Sequence, residues 1–304
     1  MGVLAGIEDA TGFDLRRCEH FVGTSAGAIV AAHLVAGRSA RRPSTVGTEI
    51  ELATPNPPAG VLAAAARRAA QRAGRVAVAA SATVAPLALA ASGPGTALVR
   101  AAVLNRIPRP RGSLEGLRQS VAESGARFDG RLRIAAVDRR AGRRVMFGSP
   151  GAPDATVAQA VEASCTVPWL FAPVSIGGRE YVDGGVWSPT NLDAAPAGRD
   201  THVLCLNPTA GINGSHSLVA VARNMARSAV SFETLALRRR GALVQTFWPD
   251  AESAAAMGAD FMNHEPRSRV LAAGYRQGLM IATSGSRAGG GGDPAAIADS
   301  ATER

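Results

Sequence analysis

The amino-acid sequence predicts an α/β protein with a mostly parallel central sheet. Short apolar runs of the kind that form buried strands alternate with longer segments of helical periodicity, and this alternation is typical of parallel α/β architecture. Hydrophobic residues occupy 46% and charged residues 19% of the 304 positions, which is a globular composition. A chain of this length corresponds to one large domain or two small ones.

Each predicted element follows from its local pattern. Helices are predicted where apolar residues recur at helical spacing, over residues 2–10, 25–36, 60–75, 156–164, 218–237 and 267–281. Strands are predicted at the short apolar runs 18–23, 132–137, 145–147, 174–176, 180–182, 202–206 and 243–247. Residues 1–283 are therefore predicted to form one domain, with a Pro-, Ala- and Arg-rich insert over residues 38–112. The Gly-rich residues 284–304 are predicted to be a disordered tail.

The insert predicts a contact with lipid. Residues 76–99 carry no formal charge, but Pro86 and a Gly-Pro-Gly turn break the stretch, so a buried or surface-lying segment is favoured over a membrane span. Arginines flank it on both sides, and residues 100–144 hold twelve Arg against four acidic residues. Apolar surface flanked by cations predicts a reversible contact of residues 60–112 with an anionic membrane. The alternative is that these arginines reflect the Arg-rich composition of the whole chain and simply face solvent. No nucleic-acid-binding motif accompanies the arginines, so nucleic acid is not an expected partner.

Cysteine usage and the first residues predict the compartment. Cys18, Cys165 and Cys205 are widely spaced and odd in number, which fits small apolar side chains in a reducing environment better than a disulfide framework or a zinc site. Glu8 and Asp9 interrupt the first apolar run, so no signal peptide is expected. The sequence predicts a cytoplasmic protein, or one held peripherally at the inner face of the membrane.

A Gly-x-Ser-x-Gly motif predicts a nucleophile. Residues 21–27 place this motif between a predicted strand and an apolar helix, and such a sharp turn lifts the oxygen of Ser25 clear of the sheet. Gly23 and Gly27 are predicted to remove side chains that would clash in the turn. The same turn starts a helix, where backbone N–H groups favour a developing negative charge. Ser25 is therefore the candidate nucleophile.

Two kinds of catalytic base are compatible with the sequence. His202, His216 or His264 would follow the serine as the base does in an α/β-hydrolase triad, although that fold builds several strands before its nucleophile. Asp183 ends a predicted strand and precedes two glycines in Tyr-Val-Asp-Gly-Gly, residues 181–185, a pattern that also fits a plain turn. The residues alone leave both bases open.

Several motifs taken together resemble the patatin-like phospholipase family. They are Gly-Thr-Ser-Ala-Gly at 23–27, Ala-Ser-Cys-Thr-Val-Pro at 163–168, Phe-Ala-Pro-Val at 171–174 and Tyr-Val-Asp-Gly-Gly at 181–185. The resemblance covers residues 2–37 and 161–191, and it returns at 248–258 and 274–278. Residues 38–130 carry no motif that contributes to the resemblance.

The resemblance implies a three-layer α/β/α fold and hydrolysis of phospholipids or other acyl lipids, without a metal or cofactor. Carried over residue by residue, the resemblance makes Ser25 the nucleophile that forms an acyl-enzyme. It makes Asp183 the base that accepts the serine proton and orients the serine hydroxyl. Gly184 and Gly185 would shape the turn that aims the aspartate, and the N–H group of Ala26 would be one oxyanion donor.

The start of the sequence departs from the family pattern. The family places a strand and a Gly-rich oxyanion loop before its first helix, whereas Met1-Gly2-Val3-Leu4 resembles that helix itself. We expect that the start codon is assigned too late, that the upstream reading frame encodes both elements, and that the chain as printed is nearly inactive. The rival interpretation is a degenerate, non-catalytic member that binds acyl lipid or a partner protein.

Overall fold

The computed structural model describes residues 1–43, 96–211, 217–257 and 267–285. Its helices are α1 Gly2–Thr11, α2 Ala26–Val35, α3 Ala97–Arg106, α4 Glu115–Glu123, α5 Val157–Cys165, α6 Ser217–Arg239, α7 Ala251–Met257 and α8 Arg267–Gly285. Its strands are β1 Phe21–Gly23, β2 Leu132–Asp138, β3 Arg143–Phe147, β4 Val174–Ile176, β5 Arg179–Asp183, β6 His202–Leu206 and β7 Leu243–Phe247. The predicted helix over 60–75 and most of the insert lie outside these residues, as does the predicted tail from residue 286.

The strands form one mixed sheet and one parallel pair. In the larger sheet β1 is parallel to β2, while β2 pairs antiparallel with β3 and β5, and β4 pairs antiparallel with β5. Strands β6 and β7 pair in parallel. The predicted α/β class is confirmed. Two of the antiparallel pairs, β2 with β3 and β4 with β5, are the predicted hairpins, and the third is the pairing of β5 with β2.

Strands β1 and β5 lie end to end along the same edge of β2. Residues of β3 pair with β2 from Ile134 to Asp138 and so occupy one edge. On the other edge, β1 pairs with β2 as far as Ile134 and β5 pairs with it as far as Ala136. Because β1 is parallel and β5 antiparallel to β2, their carboxyl ends meet beside Ala135. This arrangement positions the site.

Helices cover both faces of the sheets. Leu132, Ile134 and Ala136 point into a core shared with α1, α2, α4 and α5, whereas Val137 packs on the opposite face against α3. Strand β6 alternates in the same way: Leu204 and Leu206 pack against the first core, and the buried Cys205 packs with residues of α6. Alternate side chains of a strand point to opposite faces, so these contacts define a three-layer α/β/α arrangement.

The first and last described helices pack closely through glycines. A Cβ atom on Gly6 would lie 2.2 Å from the Tyr275 carbonyl oxygen, and one on Gly278 would lie 2.3 Å from that of Val3. Only glycine allows backbones to approach this closely. Helix α8 is thereby held against α1. In the described parts of the chain, no helix combines the length and the apolar character that a membrane span requires.

Element boundaries differ from the sequence prediction in a few places. The strand expected over 18–23 is extended only from Phe21, because Leu15–Arg17 form a 3₁₀ turn that Cys18 ends. Helices α3, α4 and α7 were not predicted. Helix α4 is largely exposed and polar, and only Val121 is fully buried, so its sequence carries a weak periodic signal.

Candidate active site

Ser25 occupies a sharp turn between β1 and α2. Its backbone angles are φ 52° and ψ −123°, a conformation that non-glycine residues adopt rarely and at a cost of about 1–3 kcal/mol. At Gly23 the turn leaves no room for a side chain, because a Cβ atom there would lie 2.5 Å from the Cα atom of Ala28. The motif is therefore a strained elbow with its serine at the tip.

The structure corrects the predicted role of Gly27. A Cβ atom on Gly27 would meet no atom within 4 Å, so this glycine does not relieve a clash in the way Gly23 does. Both Ala26 and Gly27 are exposed at the first turn of α2. Gly27 instead faces open space at the surface of the helix.

Backbone groups around Ser25 are engaged, with one exception. The Ser25 N–H donates to Ser164 Oγ at 2.9 Å, and Ser164 is fully buried on α5. The N–H groups of Gly27 and Ala28 donate to the carbonyl oxygens of Thr24 and Ser25. Within the described ranges, the N–H of Ala26 donates to no protein group, as expected for a first-turn N–H. It is the available anion donor next to the serine.

Asp183 is the last residue of β5 and is almost completely buried. Its N–H donates to the Thr166 carbonyl at 2.9 Å, and its Oδ1 accepts a 2.7 Å hydrogen bond from the N–H of Gly185. Gly184 passes so close to β2 that a Cβ atom would lie 2.4 Å from the Ala135 carbonyl oxygen. The absence of a side chain at Gly184 thus lets the chain pass close to β2, and the Gly185 N–H holds the carboxylate in place.

The elbow and the Asp183 turn face each other because β1 and β5 meet on one edge of β2. The Ser25 side chain lies close enough to the Asp183 carboxyl group to influence its pKa. Burial raises the pKa of Asp183 from its ordinary value of 3.8 to about 6, and the hydrogen bond from the Gly185 N–H and the nearby Ser25 hydroxyl oppose that rise. The pair therefore places a serine hydroxyl beside a carboxylate of raised pKa, which is a stronger base than an exposed aspartate.

The thiol of Cys165 lies against the same pair. Burial raises the pKa of this thiol, as does the charge of Asp183, while a hydrogen bond with the Ser25 side chain lowers it. A thiol with a raised pKa is a poor nucleophile. Sequence reasoning assigned no role to Ser164 or Cys165, although both lie in the 163–168 motif.

No described histidine takes the position of a base. His20 precedes β1, His33 lies in the last turn of α2 and His202 begins β6. None of the three is among the partners that the structure gives Ser25 or Asp183. His216 and His264 fall outside the described residues.

Neither of two surface depressions contains the dyad. A polar cavity of about 300 Å³ lies between α4 and α5 and is lined by side chains that include Arg118, Gln159 and Glu162. A much smaller apolar crevice lies under α3 beside Trp169. In the parts of the chain that the structure describes, no group of three or more His, Cys, Asp or Glu side chains is arranged to hold a metal ion.

Comparison with known proteins agrees with the geometry. A family model for patatin-like phospholipases matches residues 1–196, which include both the elbow and the Asp183 turn. A search of curated proteins found no significant match. The family match covers more than half of the chain and contains Ser25, Asp183 and the glycine and alanine positions predicted beside them. The chain belongs to the patatin-like phospholipase family.

Proposed function

We propose that this protein is a lipid acyl hydrolase that uses Ser25 and Asp183 as a catalytic dyad. Membership in the patatin-like phospholipase family indicates a lipid hydrolase, and the dyad and its chemistry are our assignment. The observation that supports it most is the meeting of β1 and β5 beside Ala135, which brings a strained serine and a buried carboxylate together. Strained backbone of this kind is common at catalytic nucleophiles.

In the first half-reaction, Ser25 Oγ attacks the carbonyl carbon of the lipid ester while the Asp183 carboxylate accepts the hydroxyl proton. The negative charge that develops on the carbonyl oxygen is stabilised by backbone donors, among them the N–H of Ala26. Collapse of the tetrahedral intermediate breaks the ester bond, and the leaving alcohol takes the proton from Asp183. An acyl group then remains on Ser25.

In the second half-reaction, water attacks the acyl-Ser25 ester as Asp183 accepts a proton from it. The proton returns to Ser25 Oγ when the fatty acid leaves, so the enzyme is restored. A pKa near 6 suits Asp183 to this exchange, because a general base is most effective when its pKa lies near the working pH.

Two other functions remain as rivals. A serine esterase of the α/β-hydrolase type would depend on a histidine, and none of the three described histidines is among the partners of Ser25 or Asp183. A non-catalytic member would bind acyl lipid or a partner protein through the same fold. The first rival predicts an essential histidine, and the second predicts no turnover at all.

The test is hydrolysis of a soluble short-chain ester by the printed chain and by any longer form that its reading frame encodes upstream. Ser25→Ala and Asp183→Asn should each lower turnover by orders of magnitude while the protein stays folded. Ser39→Ala, an exposed serine outside the site, is the matched control, and His202→Ala tests the triad. Normal turnover in Asp183→Asn would overturn the dyad, and an inactive wild type in both forms would favour the non-catalytic rival.

We also propose that the end of the insert contacts an anionic membrane surface. Leu98 and Val99 at the start of α3 are 82% and 54% exposed, and Arg106 and Arg111 are exposed near the other end of the helix. Apolar side chains flanked by cations favour interfacial binding.

The cationic surface is smaller than the sequence predicts. Arg100 is buried, its guanidinium lies 4.3 Å from the centre of the Trp187 ring, and it donates to the Gly142 carbonyl oxygen. Other arginines of this region form ion pairs with acidic side chains: Arg109 with Glu180, Arg118 with Glu115, Arg131 with Asp129, and Arg144 with Asp193. These charges are partly compensated within the protein.

Sedimentation with anionic vesicles tests the contact. The double variant Leu98→Ser with Val99→Ser should bind less than wild type, and added salt should weaken wild-type binding. Met280→Ser removes a comparably exposed apolar side chain on α8 and is the control. Equal binding by the double variant would show that α3 is not the contact.

A further inference from the structure

Asn191 is a fully buried polar residue that follows the Asp183 turn. It is 0% exposed, and its backbone is left-handed at φ 50° and ψ 36°, a conformation that asparagine tolerates better than most residues. A buried amide costs free energy unless it is hydrogen-bonded. The partners of this side chain therefore indicate what it stabilises.

The Asn191 amide bridges the two halves of the dyad. Its Nδ2 donates to Thr24 Oγ1 at 3.0 Å and to the Gly184 carbonyl oxygen at 3.3 Å. Thr24 immediately precedes the nucleophile and Gly184 immediately follows the base. The Ser188 carbonyl oxygen lies 2.8 Å from the same nitrogen, so the two amide protons are shared among three acceptors, and the contact with Ser188 closes the loop on itself.

Thr24 completes the bridge from the elbow side. Its hydroxyl donates to the Thr190 carbonyl oxygen at 3.2 Å while it accepts the bond from Asn191. Two hydrogen bonds therefore join the elbow to the loop 188–192. They act in addition to the pairing of β1 and β5 with β2.

Glu233 holds this loop from α6. Its Oε2 accepts hydrogen bonds from Thr190 Oγ1 at 2.7 Å and from the Leu192 N–H at 2.9 Å, so it engages the residues on both sides of Asn191. The Ser188 hydroxyl accepts hydrogen bonds from the N–H groups of Thr190 and Asn191 in the same loop. Helix α6 and the dyad are thus linked by one continuous polar network.

We propose that Asn191 is a positioning residue that fixes the separation of Ser25 and Asp183, and that Glu233 holds Asn191 in place from α6. The proposal rests on the dyad function proposed above. Sheet pairing brings β1 and β5 to the same edge of β2, but Ser25 lies two residues beyond the end of β1 and Asp183 is the last residue of β5, so the turns that follow both strands also set their separation. The amide joins these turns directly, and misplacement of a reacting group by about 1 Å can lower a rate about 100-fold.

A matched pair at Thr24 tests the bridge with little change in shape. Thr24→Val removes the hydroxyl, whereas Thr24→Ser keeps it. We expect Thr24→Val to lower kcat about 10- to 100-fold with KM within about threefold, and Thr24→Ser to restore most of the activity. Turnover is divided by the concentration of active sites, which is measured by titration with a fluorophosphonate, so that a loss of folded protein does not lower the reported kcat.

Variants at the other two positions separate positioning from folding. Glu233→Gln keeps an acceptor for Thr190 and Leu192 and should retain more activity than Glu233→Ala. Asn191→Asp replaces the Nδ2 donor by an oxygen that cannot donate to Thr24 or to the Gly184 carbonyl, so kcat per site should fall about 10- to 100-fold. A merely structural role would reduce the number of titrated sites and leave kcat per site unchanged.

The outcomes separate this proposal from the function on which it rests. An active wild type with equal kcat per site in Thr24→Val and Asn191→Asp would overturn the bridge and leave the dyad intact. A wild type that neither hydrolyses ester nor reacts with the fluorophosphonate would overturn the dyad and the bridge together.

Discussion

Replacing Asp183 by Asn should remove activity and stabilise the protein at neutral pH. The carboxylate is buried and its pKa is raised by that burial, so its ionisation at neutral pH destabilises the folded protein. Asparagine has nearly the same shape and keeps the Oδ1 atom that accepts the hydrogen bond from Gly185. Only the charge and its desolvation cost are removed.

The magnitude follows from the two pKa values. Asp183 has a pKa of about 6 when folded and an ordinary value of 3.8. Between these values the folded state binds more protons than the unfolded state, so wild-type stability falls as the pH rises through this window. One pKa unit corresponds to about 1.4 kcal/mol, so the ionised group costs at most about 3 kcal/mol at pH 7.

Urea unfolding of both proteins at several pH values measures this effect. The two proteins should be similarly stable at a pH below about 4, and the variant should become more stable by up to about 3 kcal/mol at pH 7. Other carboxyl groups whose pKa is raised by desolvation, those of Glu8, Glu162 and Glu233, are present in both proteins, so their contributions cancel in the difference. A difference that does not change with pH, or a variant less stable at pH 7, would refute the reasoning.

Three further outcomes are expected. Ser25→Gly should be more stable than Ser25→Ala by about 1 kcal/mol in urea unfolding, because glycine relieves the positive φ; equal stabilities would contradict the strained elbow. Gly23→Ala should unfold at lower urea than Gly27→Ala, since only the former places a Cβ atom 2.5 Å from Ala28 Cα, and the reverse order would disprove that argument. Ester hydrolysis should rise with pH through about 6 as Asp183 loses its proton, and a profile flat across this range would exclude Asp183 as the base.

Local patterns in the sequence predict much of the fold. The strand at 202–206 and the hairpin turn at Gly177-Gly178 are found where apolar runs and glycines predict them. The confirmed α/β class and family follow from such patterns and from the motifs. These features depend on residues close together in the chain.

The features that the sequence did not predict depend on distant residues. The alignment of β1 and β5 on one edge of β2 depends on which strands pair, and no local pattern encodes that. Asn191 meets Thr24 across 167 positions and its loop meets Glu233 across more than 40, so the bridge has no sequence signature. The burial of Arg100 was missed because an arginine in a basic segment is usually solvated.

Covalent labelling tests the central claim most directly. The protein is treated with a fluorophosphonate, which reacts with activated serines, and the modified residue is identified by mass spectrometry of its peptides. The account predicts a label on Ser25 that is absent in Ser25→Ala and forms much more slowly in Asp183→Asn, while His202→Ala is labelled at the normal rate. A label on another serine, or a labelling rate that Asp183→Asn leaves unchanged, would contradict it.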